Sequence, residues 1–508
     1  MESFASPEGR LVPALRLLLV TILVLCSQHT TGAQLPSADL VVINANVRTM
    51  TGTNARAAAF SVSGNRITAV GTTNLIKTFI GPSTRVIDAG GRLVLPGFND
   101  AHVHFMAIGN SFSSIDLRDV TSSSEMTVRI ARYARFLSKG RWILGGHFNN
   151  VNWELPDRKA IDAITPDNPV FLYRSGATTA FANSLAFKLA NVKDDAADVD
   201  RNAHAEPTGI VRGDVLKKIA TTVPANHTKN WPAIGETATN YAASLGVTSV
   251  QDMHSDDSRE IFRELERRGK LKTRVYDCVP LRDWKKLRDA RLADAPGSMV
   301  RDGCLKSFSD GDDESKAGLL GEITAADKAG LQIMIHAIGN SANRSILDVF
   351  EKAENANGRR DRRFRVEHAH KVLFEDLPRF SRSGIVPSMQ PFLFAGSDRS
   401  HYGTLLKLGA KVAFGSDASM VDLNPMLGIH AAANAGPESI SVYEAVRAYT
   451  VGSAYAEFQE KEKGTIERGK LADFVILSDD IFTVDRKLLQ NVKIVLTVVD
   501  GKAVYQAN

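Results

Sequence analysis

Eight short apolar runs, separated by stretches of helical periodicity, are the feature that most constrains how this 508-residue sequence folds. Alternation of this kind is typical of βα units around a parallel sheet. Eight units are the number that a closed barrel needs. The runs are Leu93–Phe105, Gly246–Met253, Thr273–Val279, Cys304–Phe308, Leu331–Ala337, Phe364–Ala369, Gly384–Gln390 and Lys411–Gly415. The sequence therefore predicts an α/β fold built on a (β/α)8 barrel of the TIM type.

Both ends of the chain consist of short strands and tight turns. Strand-like runs follow one another over residues 34–92 and again over residues 456–508, where a hairpin turns at Asp500-Gly501. Short strands joined by tight turns are typical of all-β segments. We therefore predict a small β-sandwich assembled from both chain ends, with the barrel domain between them at residues 93–455.

One interval between the predicted barrel strands is too long for a βα unit. Roughly 140 residues separate Phe105 from Gly246, whereas a βαβ unit needs only a few tens of residues. Residues 106–240 are therefore predicted to be an insertion with strands of its own, near residues 141–147 and 169–173.

Residues 1–33 have the pattern of a signal peptide. Arg10 and Arg16 precede the apolar run Leu17–Cys26, and polar residues then lead to Ala33. Ten apolar residues are too few to span a bilayer, so cleavage is favoured over an uncleaved anchor. A lipoprotein at Cys26 is a weaker alternative. The prediction is an exported protein, periplasmic or secreted, with no membrane span after cleavage.

Composition and charge limit the class of protein and argue against nucleic acid as a partner. The content is 44% hydrophobic and 23% charged, which is ordinary globular material. The net charge of +5 is mild, and the chain has no run of Lys and Arg that would indicate nucleic-acid binding. Beyond residue 33 the chain has only Cys278 and Cys304, which allow at most one disulfide.

Polar residues terminate several of the apolar runs. His102 and His104 close the first run, and they lie on one side of the strand because side chains alternate. His336, His368 and Asp417 end the fifth, sixth and eighth runs. The carboxyl ends of barrel strands meet at one rim, where active sites lie. Four histidines and an aspartate gathered there need a cation to compensate their burial, so we predict a metal site.

Lys306, on the fourth run, has two interpretations. An ion pair with Asp310 or Asp312 is the simpler one, on spacing alone. If the side chain points inward, burial depresses the pKa of the amine. The amine can then react with carbon dioxide to form a carbamate that bridges two metal ions.

The order of these residues resembles the amidohydrolase superfamily, and five internal runs resemble its branch with N-substituted formamide deformylase. The runs begin at Lys306 and continue with His336-Ala337-Ile338-Gly339, Arg365-Val366-Glu367-His368-Ala369, Ser388-Met389-Gln390-Pro391 and Phe414-Gly415-Ser416-Asp417. A further family-like run, Gly464–Asp473, enters the sandwich. The similarity covers nearly the whole chain after residue 33.

The resemblance implies a ligand set. His102, His104 and Asp417 would hold one metal ion, His336 and His368 a second, and carboxylated Lys306 would bridge them. Asp417 would also be the proton shuttle, and His370 falls outside the ligand set. Zinc is the expected metal, with Fe, Mn and Co as alternatives, and the site holds one or two ions.

The sequence departs from the family at two substrate-facing positions. Thr178 and Leu393 stand where histidines are common, and three segments between the matched runs are shorter than usual. These departures predict an open pocket that admits bulky apolar acyl or amine groups.

The function implied is hydrolysis of a non-peptide C–N bond in a small-molecule amide, N-acyl or formamide-like, by metal-activated hydroxide. One alternative is a metal-dependent esterase or phosphoesterase. Another is a binding protein that has kept the barrel and lost turnover, against which Asp417 argues. The sequence leaves the oligomeric state open, a homo-oligomer included.

Overall fold

The computed structural model describes residues 37–507 except for short gaps. The gaps are residues 54, 113, 149–152, 176–177, 225–230, 254–257, 292–296, 310–312, 398 and 419. The predicted signal peptide lies outside the described residues, so export stays a prediction. Within the described residues, no helix is both long enough and apolar enough to cross a bilayer.

The strands fall into four groups along the chain. The first group is β1 (Leu40–Ile43), β2 (Asn46–Arg48), β3 (Arg56–Ala57), β4 (Ala59–Ser63), β5 (Arg66–Gly71), β6 (Arg85–Asp88), β7 (Leu93–Pro96) and β8 (Phe98–Val103). The second is β9 (Ile115–Asp116), β10 (Ile143–Phe148), β11 (Val170–Arg174), β12 (Thr179–Ala182), β13 (Val199–Arg201) and β14 (Pro207–Arg212). The third is β15 (Val247–Met253), β16 (Arg274–Pro280), β17 (Val300–Phe308), β18 (Gln332–Ile338), β19 (Arg365–His370), β20 (Val386–Met389) and β21 (Ala413–Phe414). The last is β22 (Phe474–Leu477), β23 (Ile494–Val499) and β24 (Lys502–Gln506).

Helices connect most of these strands. They are α1 (Thr73–Lys77), α2 (Phe105–Ser111), α3 (Ser123–Ala134), α4 (Arg158–Ile164), α5 (Ser184–Leu189), α6 (Gly213–Thr222), α7 (Trp231–Ser244) and α8 (Ser258–Arg267). They continue with α9 (Trp284–Arg291), α10 (Asp313–Lys328), α11 (Asn340–Asn357), α12 (Leu377–Arg382), α13 (Tyr402–Lys407), α14 (Pro425–Ala433), α15 (Val442–Arg447) and α16 (Ser453–Ala456).

Strand β8 and strands β15 to β21 form one eight-stranded sheet in chain order. All seven ladders in it are parallel. Beyond the last ladder, the Asp417 amide donates to the His102 carbonyl oxygen at 2.8 Å, and the His104 amide donates to that of Ala418 at 2.6 Å. These bonds join the first strand to the eighth. The predicted (β/α)8 barrel is therefore confirmed.

The first predicted barrel run is wrong in its extent, because Leu93–Phe105 contains two strands of different sheets. Strand β7 pairs with β2 and β22, while β8 pairs with β15 in the barrel. Gly97 separates them at a point where the chain passes close to Thr248, whose side chain a Cβ on Gly97 would overlap. The chain thus crosses from one sheet to another within a single apolar run.

The chain ends share a β-sandwich of two sheets. One sheet has the order β5-β4-β1-β6, and the other, β24-β23-β22-β7-β2-β3, combines strands from both ends. The rings of Phe60 and Phe474 meet edge to face between them, with centroids 4.9 Å apart. The predicted hairpin at Asp500-Gly501 is present, and a second hairpin turns at Gly64. The prediction of a sandwich built from both ends is confirmed.

The long interval between β8 and β15 contains a separate six-stranded sheet, β13-β14-β12-β11-β10-β9. Its two faces are apolar: Val170 and Leu172 belong to one buried cluster and Phe171 to the other. Phe112 packs against both the barrel core and this sheet. Strands β10 and β11 lie where the sequence predicted strands of an insertion.

A buried group of charged residues, here called the basal cluster, lies at the amino ends of the barrel strands. Glu457, only 1% exposed, bonds Lys463 at 2.8 Å, Arg301 at 2.7 Å and Asn99 at 2.7 Å. Lys463 also donates to the Ser249 hydroxyl at 2.7 Å. The opposite charges within this cluster therefore compensate one another, and hydrogen bonds join the side chains that carry them.

Candidate metal centre

Three of the predicted ligands converge at the carboxyl ends of β8 and β21. One donor atom from each of His102, His104 and Asp417 lies within 4.8 Å of the other two. Asp417 Oδ1 is 3.6 Å from His102 Nε2 and 3.5 Å from His104 Nε2. Donors that share a tetrahedral zinc ion at about 2.1 Å lie about 3.4 Å apart. The spacing and chemistry of these donors therefore fit a divalent cation.

The other two predicted histidines continue the same group. The His368 ring lies 5.0 Å from that of His102 and 4.5 Å from that of His336, measured between centroids. The structure thus brings all four histidines and Asp417 together in one cavity.

Lys306 lines the same cavity, on β17. Its Nζ lies 4.1 Å from the centroid of the Phe308 ring. The side chain therefore has the inward position that the carbamate hypothesis needs. The alternative partners, Asp310 and Asp312, lie outside the described residues.

The backbone at two ligands is strained. His368 and Asp417 have φ of 73° and 59°, and Ala369 has 44°. Left-handed backbone costs free energy for residues other than glycine, and it clusters at functional sites. Gly415 permits the approach of the two strands, because a Cβ there would overlap the His102 amide nitrogen.

Two buried side chains orient the histidine rings. Glu367 Oε2 lies 2.6 Å from His102 Nδ1, and Gln390 Oε1 lies 2.7 Å from His368 Nδ1. Both oxygens only accept, so each Nδ1–H donates and each Nε2 is left with a lone pair for a cation. Glu367 and Gln390 belong to two of the family-like runs of the sequence, but no local pattern predicted their role.

Asp100 is a further buried residue whose role no sequence pattern predicted. Its carboxylate accepts from the amides of His102 and Ser416, each at 3.0 Å. It thereby fixes the backbone beside ligands on the first and last barrel strands. The signal available in the sequence was its position two residues before His102.

Burial sets the protonation of the cluster. Loss of solvation lowers the pKa of His102 to about 4 and of His368 to about 2, and it also lowers the pKa of His104. Neutral imidazole is the form that binds metals. Burial raises the pKa of Asp417 to about 6, against the nearby positive charge of Lys306.

His370, predicted to lie outside the ligand set, bonds two hydroxyls instead. Its Nδ1 is 3.0 Å from Ser400 Oγ and its Nε2 is 3.4 Å from Ser397 Oγ. The ring stacks on Phe394 with centroids 4.0 Å apart. His370 therefore supports Phe394, which lines the cavity.

The cavity that holds these groups has a volume of about 700 Å³ and largely apolar walls. Leu393, one of the two departures from the family pattern, lines it, whereas Thr178 is an exposed residue of the insertion. The apolar lining residues are Met253, Cys278, Pro280, Leu281, Phe308, Ile338, Leu393, Phe394 and Met420. Cys278 is disulfide-bonded to Cys304, its register neighbour on β17.

Comparison with known proteins identifies the family of the chain. A sequence profile of the amidohydrolase family matches residues 85–505. Protein LONG AFTER FAR-RED 3 of Arabidopsis thaliana is 32% identical over 92% of each chain. N-substituted formamide deformylase of Arthrobacter pascens is 26% identical over 92% of this chain and 98% of its own.

A solved structure shows the same relationship. An uncharacterized metal-dependent hydrolase from Pyrococcus furiosus superposes with a TM-score of 0.60 at 28% identity, covering 87% of this chain and 100% of that one. Together with the profile match over most of the chain, this likeness confirms the relationship that the order of histidines, lysine and aspartate predicted. The chain belongs to the amidohydrolase family of metal-dependent hydrolases.

Proposed function

We propose that the protein hydrolyses a carbon–nitrogen bond, other than a peptide bond, in a small-molecule amide. The convergence of His102, His104 and Asp417 in one cavity carries this proposal. Membership of the amidohydrolase family supports hydrolysis. Kinship to a formamide deformylase supports an amide as the bond cleaved.

Zinc is the proposed metal, since imidazole and carboxylate ligands suit it. His102, His104 and Asp417 would hold one ion, and His336 with His368 a second. A divalent cation in this position supplies Lewis acidity: it lowers the pKa of a water molecule and polarises a carbonyl group.

Asp417 is the proposed proton carrier. Its carboxylate lies in the cavity, 3.6 Å from His102 and 3.5 Å from His104, where it can take up and release a proton beside a bound substrate. An amide nitrogen must be protonated before it can leave, whereas an alcohol leaves an ester more readily. A carboxylate in this position therefore serves amide hydrolysis more than ester hydrolysis.

Lys306 is proposed to bridge the two ions as a carbamate. Its amine lies in the cavity with the four histidines. Reaction of the neutral amine with carbon dioxide forms an N–C bond, releases one proton and leaves an anionic group with two oxygens. Such a group would balance the charge of two cations.

The walls of the cavity indicate what kind of amide fits. Phe308 and Met420 are 57% and 72% exposed, so a bound apolar group would cover them and gain hydrophobic stabilisation. Among the described residues that line the cavity, the charged side chains other than the predicted ligands and Lys306 are those of Arg282 and Glu322. We therefore propose substrates with a bulky apolar acyl or amine group.

Metal content and substrate preference test the proposal together. The purified protein should contain one to two equivalents of a divalent transition metal, and His102→Ala and His336→Ala should each lose part of it. Amides and esters with the same acyl group should be compared in a panel graded by size. Amide turnover by the wild-type protein should exceed that by the His102→Ala variant by at least about 100-fold, the usual effect of losing a catalytic group.

His204, an exposed histidine of the insertion, provides the matched control. His204→Ala should keep wild-type metal content and turnover. A wild-type protein that stays metal-free after expression in zinc-supplemented medium would contradict the metal site. Ester turnover without amide turnover would instead identify an esterase, and metal binding without any turnover would identify a binding protein.

A further inference from the structure

The two buried histidines of the cluster are held by chemically different oxygens. His102 donates its Nδ1–H to a carboxylate, Glu367, at 2.6 Å. His368 donates to an amide oxygen, Gln390, at 2.7 Å. Both acceptors are fully buried, so water does not level the difference between them.

Glu367 is fixed as an anion. Arg365 Nε donates to Glu367 Oε1 at 2.8 Å, and both side chains are completely buried. Arg365 in turn donates to the Ala101 carbonyl at 2.6 Å and to the Ser388 hydroxyl at 3.0 Å. The guanidinium is thus held in place from three strands, and its charge keeps the carboxylate ionised beside His102.

Gln390 is neutral at any pH, and its orientation is fixed as well. Its Nε2 donates to the Ser388 carbonyl oxygen at 3.2 Å. The amide oxygen is therefore directed at the His368 ring, and the ring donates to a neutral acceptor.

The partner of Nδ1 controls how strongly Nε2 binds a cation. A carboxylate draws the Nδ1 proton toward itself and leaves more electron density on Nε2, so it makes the imidazole a stronger ligand than an amide does. The two histidines belong to different positions of the ligand set, since His102 lies with His104 and Asp417, and His368 lies with His336.

We propose that Glu367 and Gln390 are positioning residues that make the two metal positions unequal. The position of His102, His104 and Asp417 binds an ion tightly, and that of His336 and His368 binds one more weakly. This inference rests on the proposed metal-dependent function. Its consequence is a protein with one equivalent of metal when metal is scarce and two when it is abundant.

Cobalt titration of metal-free protein against a chromophoric chelator tests the inference without using activity. Wild-type protein should show two binding steps at least about tenfold apart in Kd. His104→Ala should abolish the tight step and His336→Ala the weak step, which assigns each step to its position. His204→Ala should leave both unchanged.

Exchanging the two acceptors is the decisive comparison. Glu367→Gln should weaken the tight step by about 10- to 100-fold, the usual effect of losing such a partner, and should leave the weak step in place. Gln390→Glu should lower the Kd of the weak step, so that the Kd values of the two steps lie closer together. The visible cobalt spectrum of the tight step should shift in Glu367→Gln alone, which a merely structural role would not produce.

The outcomes separate this inference from the proposed function. Two equal steps in wild-type protein, or an unchanged tight step in Glu367→Gln, would overturn the inference and leave the metal site standing. If Glu367→Gln fails to fold, Gln390→Glu provides the test. An unchanged Kd of the weak step in that variant would overturn the inference. No cobalt binding by wild-type protein would overturn both.

Discussion

The two ends of the barrel both bury ionisable side chains, but they compensate them in opposite ways. In the basal cluster, Glu457 lies within 2.8 Å of Lys463 and Arg301, so opposite charges face each other at hydrogen-bond distance. At the other end, Asp417 lies 3.5 Å from His104 and 3.6 Å from His102. Those distances leave room between Asp417 and the two neutral rings, and the charge that opposes that of Asp417 is the one on Lys306.

The difference indicates what each end is for. Paired buried charges satisfy one another and hold a fold together, whereas buried groups that are only loosely paired raise its free energy until a ligand binds. The left-handed backbone of His368 and Asp417 adds strain at the same end. In barrel enzymes the amino end of the strands serves stability and the carboxyl end serves catalysis.

Removing one partner of the basal cluster should have the largest effect on stability. Glu457→Ala leaves Lys463 buried without its carboxylate, which costs about 3–5 kcal/mol in comparable pairs. Urea unfolding should report that loss, while kcat per folded molecule stays near wild type. Glu462, which pairs with Arg66 at the surface, is the control. Glu462→Ala should change stability by less than about 1 kcal/mol, and an equally small effect of Glu457→Ala would break the comparison.

Asp417→Asn should stabilise the metal-free protein at pH 7. The folded pKa of about 6 exceeds the unfolded value of 3.8, so stability is fully present below pH 3.8 and is lost as pH rises through 6. At pH 7 the wild-type protein carries the whole cost, up to about 3 kcal/mol for a shift of about two pH units. The neutral amide of asparagine escapes it.

Unfolding of metal-free protein at pH 4 and pH 7 checks this sign. The gain should be present at pH 7 and nearly absent at pH 4. Asp214→Asn, at an exposed carboxylate, should show neither change. A loss of stability at pH 7 in Asp417→Asn would mean that the carboxyl end of the barrel is compensated like the basal cluster.

The same substitution should cost activity. In metal-replete enzyme, Asp417→Asn should lower kcat by at least about 100-fold, because the amide cannot carry a proton. Rates should be compared at equal metal content, so that lost chemistry is separated from lost metal. Turnover near wild type would contradict the role of Asp417 as proton carrier.

Lys306→Ala should give a smaller and partly reversible loss. We expect metal content to fall and kcat to fall by about tenfold, an order-of-magnitude expectation for losing one charged ligand. Bicarbonate with a short carboxylic acid should partly restore both, since the acid replaces the carbamate oxygens. Two ions bound normally at an unchanged rate would make Lys306 a surface or salt-bridge residue.

The sequence was sufficient for the parts of the molecule that local pattern determines. Each barrel strand overlaps one of the eight predicted runs, and His102, His336 and Asp417 lie at or just beyond the carboxyl ends of such strands, so their order alone placed them at one rim. The crossing at Gly97 was missed because two strands of different sheets share one apolar run.

Long-range polar contacts could not be predicted from pattern. Glu367 and His102 are 265 residues apart, and Asn99 and Glu457 are 358 apart. Nothing in the neighbourhood of either residue in the sequence indicates which partner the fold will bring to it. Their roles became apparent only from the distances between side chains.

Strand β7 has consequences for the order in which the chain acquires its structure. It pairs with β2 on one side and with β22 on the other. Strand β7 is therefore synthesised early, whereas its second partner, residues 474–477, is synthesised late. Val475 and Ile494 also pack on Gly246, at the start of a barrel strand. During synthesis, most of the chain therefore emerges before this sheet can close. A chain stopped short of β22 would expose the unpaired edge of β7, which invites association with other chains.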